Sequence, residues 1–156
     1  MLKDKTIVIG VTGGIAVYKA ADIVSRLKKL RANVEVIMTS GATEFVTPLT
    51  FQTMSGNKVH REMFGEVKNY DVEHISLAQK ADIILIAPAT ANTIGKIANG
   101  IADNLLTTVV MASTAKIIFA PAMNTMMYRN PIVKDNIEKL KNLDFAKIIL
   151  FFKSHH

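Results

Sequence analysis

Short runs of β-branched and aliphatic residues alternate along this chain with stretches in which apolar positions return every three or four residues. Thr6 to Val11, Val34 to Met38, Asp82 to Ala87, Lys116 to Ala120 and Ala146 to Phe152 have the length and composition of strands buried in a parallel sheet. Between the first two, Ala20, Ile23, Val24, Leu27 and Leu30 keep helical spacing while Lys19, Asp22, Arg26 and Lys29 fall on other faces, which predicts an amphipathic helix. Further helices are predicted at Thr47 to Met54, Asn92 to Ala98, Asp103 to Ala112 and Pro131 to Leu143, the last with Asn130 as cap and Pro131 at its first position. Such alternation implies an α/β fold, a doubly wound parallel sheet with helices on both faces. No repeat, low-complexity tract or flexible linker divides the chain, so one domain over residues 1–156 is expected, with a truncated or divergent end from about residue 144.

Composition narrows the chemistry. At 156 residues and 49% hydrophobic content the chain can bury a proper core. The absence of cysteine excludes disulfides, thiolate nucleophiles and cysteine-based zinc or iron–sulfur sites, and makes the cytoplasm the expected location. The apolar run Ile7 to Val11 is too short for a secretion signal or a membrane span, so a soluble protein without a membrane partner is expected. The formal net charge of +6 is spread over the chain, with only Lys28, Lys29 and Arg31 close together, and no nucleic-acid partner is expected. A mean hydropathy of +0.25 with few aromatics exceeds the need of a small monomer, which points to apolar surface between subunits.

In doubly wound sheets ligands sit beyond the carboxyl ends of the strands. After the first strand, Thr12-Gly13-Gly14-Ile15-Ala16 lets backbone amides approach an anion at a helix start, and phosphate is the anion that fits. The spacing of Gly10, Gly13 and Gly14 does not match the dinucleotide fingerprint, and Met38-Thr39-Ser40 offers hydroxyls where that fingerprint needs an acid, so NAD is disfavoured. After the third strand, Ala87-Pro88-Ala89-Thr90-Ala91-Asn92-Thr93 is small and polar enough for a planar ring and its ribityl chain. After the fourth comes Pro121-Ala122-Met123-Asn124, where an Asn in a turn can hold a carboxylate, and His74, opening the segment His-Ile-Ser-Leu-Ala, can take a proton at neutral pH. Each residue also has a plain structural role open to it: Thr90 or Asn92 as a helix cap, Phe45 and Met123 as packing, the glycines as a tight turn. Their joint placement points to a small anionic substrate and a phosphate-bearing cofactor, with no metal.

Taken with Val17-Tyr18-Lys19, Ile94-Gly95-Lys96 and Ala102-Asp103-Asn104-Leu105-Leu106-Thr107, these segments resemble the homo-oligomeric flavin-containing cysteine decarboxylases over roughly residues 5 to 143. Within the family the resemblance is to members that act on phosphopantothenoylcysteine in coenzyme A biosynthesis. It implies a flavodoxin-like subunit, a homotrimer or multiple of trimers, and FMN where subunits meet. Gly13, Gly14, Ile15, Thr39 and Ser40 would surround the phosphate and ribityl chain. Phe45, Thr90, Ala91, Asn92, Thr93 and Met123 would face the rest of FMN. His74 would be the catalytic base and Asn124 would bind the substrate carboxylate. Tyr128 stands where the family often has Trp.

The family completes its reaction with a cysteine in an Ala-Cys-Gly stretch beyond this region. This chain has none, and after Leu143 it runs Asp144-Phe145-Ala146 to Ser154-His155-His156. The expectation is an intact oxidative half-reaction with an impaired reductive half. Two other readings compete: a flavin-binding subunit that complements a cysteine-bearing partner, and a flavin prenyltransferase, against which His74 and the Pro-Ala-Met-Asn block both argue.

Overall fold

The computed structural model describes residues 1–61 and 67–149, with side chains described for all of these except 67–71. In chain order the elements are β1 (Thr6–Val11), α1 (Val17–Lys29), β2 (Asn33–Met38), α2 (Ser40–Thr43), α3 (Pro48–Ser55), α4 (Val67–Lys80), β3 (Ile83–Ala89), α5 (Ala91–Ala98), α6 (Leu105–Ala112), β4 (Lys116–Pro121), α7 (Thr125–Arg129), α8 (Pro131–Lys141) and β5 (Ala146–Ile148). The strands form one parallel sheet in the order β2-β1-β3-β4-β5, the flavodoxin-like arrangement. The last predicted strand is recovered only as β5, and its positions 150–152 lie outside the described residues.

Strand alternation distributes the side chains between two cores. Ile7, Ile9 and Val11 of β1 pack with Val34, Val36 and Met38 of β2 beneath Val17, Ala20 and Val24 of α1 and Phe51 of α3. Val8 faces the other way, with Ile84, Ile86, Ile117 and Phe119, against Leu77 of α4, Ile94 of α5, Leu105 and Val109 of α6 and Leu140 of α8. Burial of one aliphatic side chain contributes about 1.5–3 kcal/mol, so these two layers dominate the stability of the fold.

Helix ends follow local chemistry. Arg26, Lys28 and Lys29 close α1, where cations complement the carbonyl end of the dipole. Asn130 caps α8 by accepting from the Ile132 amide, with Pro131 behind it, as the sequence predicts. Asn104 and Thr107 form a reciprocal capping box at α6. The unpredicted helices are α2, α4 and α7. No helix among the described residues is long and apolar enough to cross a membrane.

Candidate functional site at the carboxyl edge of the sheet

Four of the five strands end in turns that lead into helices at the same edge of the sheet, and the polar residues singled out by the sequence open those helices. Thr39 is the N-cap of α2, its hydroxyl accepting from the Ala42 amide at 3.3 Å. Thr90 caps α5, accepting from the Thr93 amide at 3.2 Å. Asn124 caps α7, its Oδ1 accepting from the Met127 amide at 2.9 Å. The exception is α1: its N-cap is Ala16, and no side chain caps it.

Capping leaves a defined set of donors. The first turn of a helix has four amides without intrahelical acceptors, and one capping oxygen answers one of them. Among the described residues the amides of Gly13, Gly14, Ile15 and Ala16 have no acceptor, nor do those of Ser40, Gly41, Ala91 and Asn92. None of α1, α2, α5 and α7 carries an acidic residue in its first turn. The edge is therefore rich in N–H groups and lacks first-turn carboxylates, the electrostatics of an anion site.

Gly13 shows why this turn needs glycine. A Cβ there would stand 2.8 Å from the carbonyl carbon of Gly41 and 3.0 Å from its oxygen, so the α1 turn and α2 approach backbone to backbone. Gly14 has nothing within 4 Å of a Cβ position, which leaves its flank open.

The remaining sequence candidates divide. Ile15 is 79% exposed and Phe45, just past α2, 53% exposed, so neither is consumed by the core. Ser40 and Asn92 are exposed, and Ala91 is half-buried. Met123 is half-buried and packs against the α5–α6 core. Thr93 is 3% exposed and its Oγ1 accepts from the Thr90 hydroxyl at 3.2 Å, so its side chain supports the cap from inside. His74 does not open a segment at a strand end. It lies half-buried in the middle of α4, a helix that runs back from the carboxyl edge to enter β3. Its neighbour Glu73 meets His60 Nδ1 at 2.6 Å.

Asn124 holds the most chemical information. Because its Oδ1 faces the Met127 amide, its Nδ2 keeps two donors without an acceptor among the described residues. Tyr128 anchors the same short helix, its hydroxyl donating to the Pro121 carbonyl at 2.8 Å, and burial raises its pKa so that it stays a donor. Sequence reasoning passed over three contributors. Thr12 is a buried hydroxyl at the end of β1, legible as the one polar residue closing an apolar run. Gly41 had no signal apart from Gly13. Glu35, 8% exposed, meets Lys80 at 2.9 Å and His60 Nε2 at 2.8 Å, fastening α4 to β2.

Among the described residues no group of three or more His, Cys, Asp or Glu is placed to hold a metal. A shallow groove of about 530 Å³ runs along α4, lined by Val72, Ile75, Ser76, Gln79 and Lys80 and by none of the strand-end turns.

The family model described as Flavoprotein matches residues 1–154. The chain is 54% identical over 148 residues to the coenzyme A biosynthesis bifunctional protein CoaBC of Borreliella burgdorferi, covering 95% of this chain and 38% of that protein. It is 45% identical over 146 residues to a probable phosphopantothenoylcysteine decarboxylase of Streptococcus mutans, covering 92% and 82%. Among solved structures, an FMN-dependent cysteine decarboxylase, SpaF, superposes with a TM-score of 0.86 at 27% identity, covering 96% of this chain and 85% of that one. The chain spans little more than a third of the length of the bifunctional relatives it matches.

Proposed function

The chain belongs to the Flavoprotein family, and from that membership we propose that it binds FMN at the carboxyl edge of its sheet and decarboxylates 4'-phosphopantothenoyl-cysteine on the route to 4'-phosphopantetheine. The observation that carries the reading is the set of amides without acceptors at Gly13 to Ala16, Ser40 to Gly41 and Ala91 to Asn92, which matches a ligand with a phosphate at one end and a hydrogen-bonding ring at the other. Gly13, Gly14, Ile15, Thr39 and Ser40 would hold the phosphate and ribityl chain. Thr90, Ala91, Asn92, Phe45 and Met123 would take the ring, with Thr93 supporting Thr90 from within.

FMN, when bound, supplies the two-electron acceptor that converts the cysteine side chain to a thioaldehyde and so gives the departing carboxylate an electron sink. The protein's own work is proton transfer and orientation. His74 takes the thiol proton, a task suited to an imidazole near neutral pH. Asn124 presents Nδ2 donors to the substrate carboxylate, its amide held in that sense by the α7 cap.

We place the site between protomers of a homotrimer or a multiple of it. Ile15, Tyr18, Phe45, Leu49 and Met126 are exposed apolar side chains on the turns and helix starts of this one edge, and His74 sits on a helix rather than at a strand end. A cytoplasmic location fits a reaction of this kind.

The test is titration of the purified protein with FMN and with NAD, followed by flavin fluorescence and mass spectrometry of the bound species. The reading expects a yellow protein with FMN at one per protomer and no NAD. A protein that stays colourless and leaves added FMN fluorescence unquenched overturns it.

A further inference from the structure

Building on the FMN reading above, we propose that Thr12 is a positioning residue: its buried hydroxyl locks the glycine turn after β1 to the Thr90 turn after β3 and so fixes the distance between the phosphate end and the ring end of the site. Thr12 is 1% exposed. Backbone pairing of β1 with β3 runs from Ile7 with Ile83 only as far as Gly10 with Ile86, and the pairing of β3 with β4 shifts register between Ile86 and Ala89. The ladder therefore stops short of both ligand turns.

Thr12 bridges that gap. Its N–H donates to the Pro88 carbonyl at 3.4 Å, its hydroxyl donates to the same carbonyl, and the hydroxyl oxygen accepts from the Thr90 N–H at 3.0 Å. A hydroxyl has one proton, and here it points to Pro88, so Thr90 meets a lone pair and both roles of the group are used. A group buried and engaged on both sides does not touch a ligand. It acts through its neighbours: Gly13 and Gly14 follow it directly, and Ala91 and Asn92 follow Thr90, and all four have amides without acceptors. A ligand whose two ends are covalently joined gains from both turns only while their spacing matches its own.

FMN and riboflavin differ by the phosphate alone, so the ratio of their dissociation constants reports whether the two turns work together. In Thr12→Val, which keeps the shape and removes both hydrogen bonds, FMN affinity falls about tenfold, equivalent to one net hydrogen bond, while riboflavin affinity falls less, so the ratio collapses. Thr12→Ser restores the ratio to within about twofold of wild type, since it retains the hydroxyl. Thr12→Cys, a small substitution with a weak donor and weak acceptor, lies between them and decides the matter if the Val variant does not fold. A ratio unchanged in Thr12→Val or Thr12→Cys overturns the proposal, as does loss of both flavins by one common factor accompanied by a lower thermal midpoint, the signature of a purely structural role. Wild-type protein that binds neither flavin overturns the FMN reading and this inference together, and is distinct from wild-type binding with variants that match it.

Discussion

Asn124 commits its carbonyl oxygen to the Met127 amide, and that commitment fixes which end of the side chain faces outward. Asp caps a helix about as well as Asn, so Asn124→Asp leaves α7 in place while exchanging the outward donors for an acceptor. Affinity for phosphopantothenoylcysteine should drop by about 2–4 kcal/mol, the cost of replacing a charge-assisted hydrogen bond with repulsion, while FMN affinity stays at the wild-type value. Isothermal titration with each ligand checks the pair, and equal substrate affinity would move the carboxylate site elsewhere. At this scale the sequence named Asn124, Thr39 and Thr90 because small polar residues after buried strands are both natural caps and natural ligand contacts. What it did not give is the direction of each side chain, because residue identity does not reveal which side of a helix start faces the core. Three positions after Thr90, the Thr93 side chain turns inward and its hydroxyl meets the cap. The direction of the Asn124 amide was likewise out of reach, since it depends on how the five-residue helix α7 is capped.

The elements with strong patterns were legible and those without were not. α1, α5 and the strands bury a full apolar stripe or run, whereas α4 buries only Leu77 and Ala78 among its described side chains, holds Val72 and Ile75 exposed on its outer side, and is fastened by charge as well. Its place on the sheet depends on Glu35, which lies in a β2 run that otherwise reads as wholly apolar, and on His60, twenty-five positions further along. For Glu35, burial alone raises the pKa, but hydrogen bonds from Lys80 and His60 outweigh it and leave the carboxyl below its ordinary value of 4.5. A lowered folded-state pKa means that the unfolded chain binds the proton first. The contribution is complete above the ordinary carboxylate range and is lost as pH falls through that range and then through the lowered value. Glu35→Gln should cost about 2 kcal/mol at neutral pH, and its stability should fall less steeply than that of wild type on acidification below about pH 4.5. Urea unfolding at a series of pH values measures both, and parallel curves for the two proteins would show that this cluster does not hold α4 down.

For the whole molecule, a doubly wound parallel sheet was legible from alternation alone, and its order β2-β1-β3-β4-β5 brings four strand ends into one surface. What alternation could not give is closure. The edge carries exposed Ile15, Phe45 and Leu49, so a second protomer is expected to cover it, and light scattering of the FMN-loaded protein should report a trimer or a multiple of three. A monomer with full FMN occupancy would contradict a shared site. The most direct test of the central claim is an anaerobic reaction of FMN-loaded protein with phosphopantothenoylcysteine, read by flavin absorbance and by mass spectrometry of the product. The account predicts that the flavin is reduced on mixing, that the product has lost carbon dioxide, and that His74→Asn stays yellow with FMN bound and the substrate unchanged. Substrate left unchanged by FMN-loaded protein, or flavin reduction undiminished in His74→Asn, would contradict it.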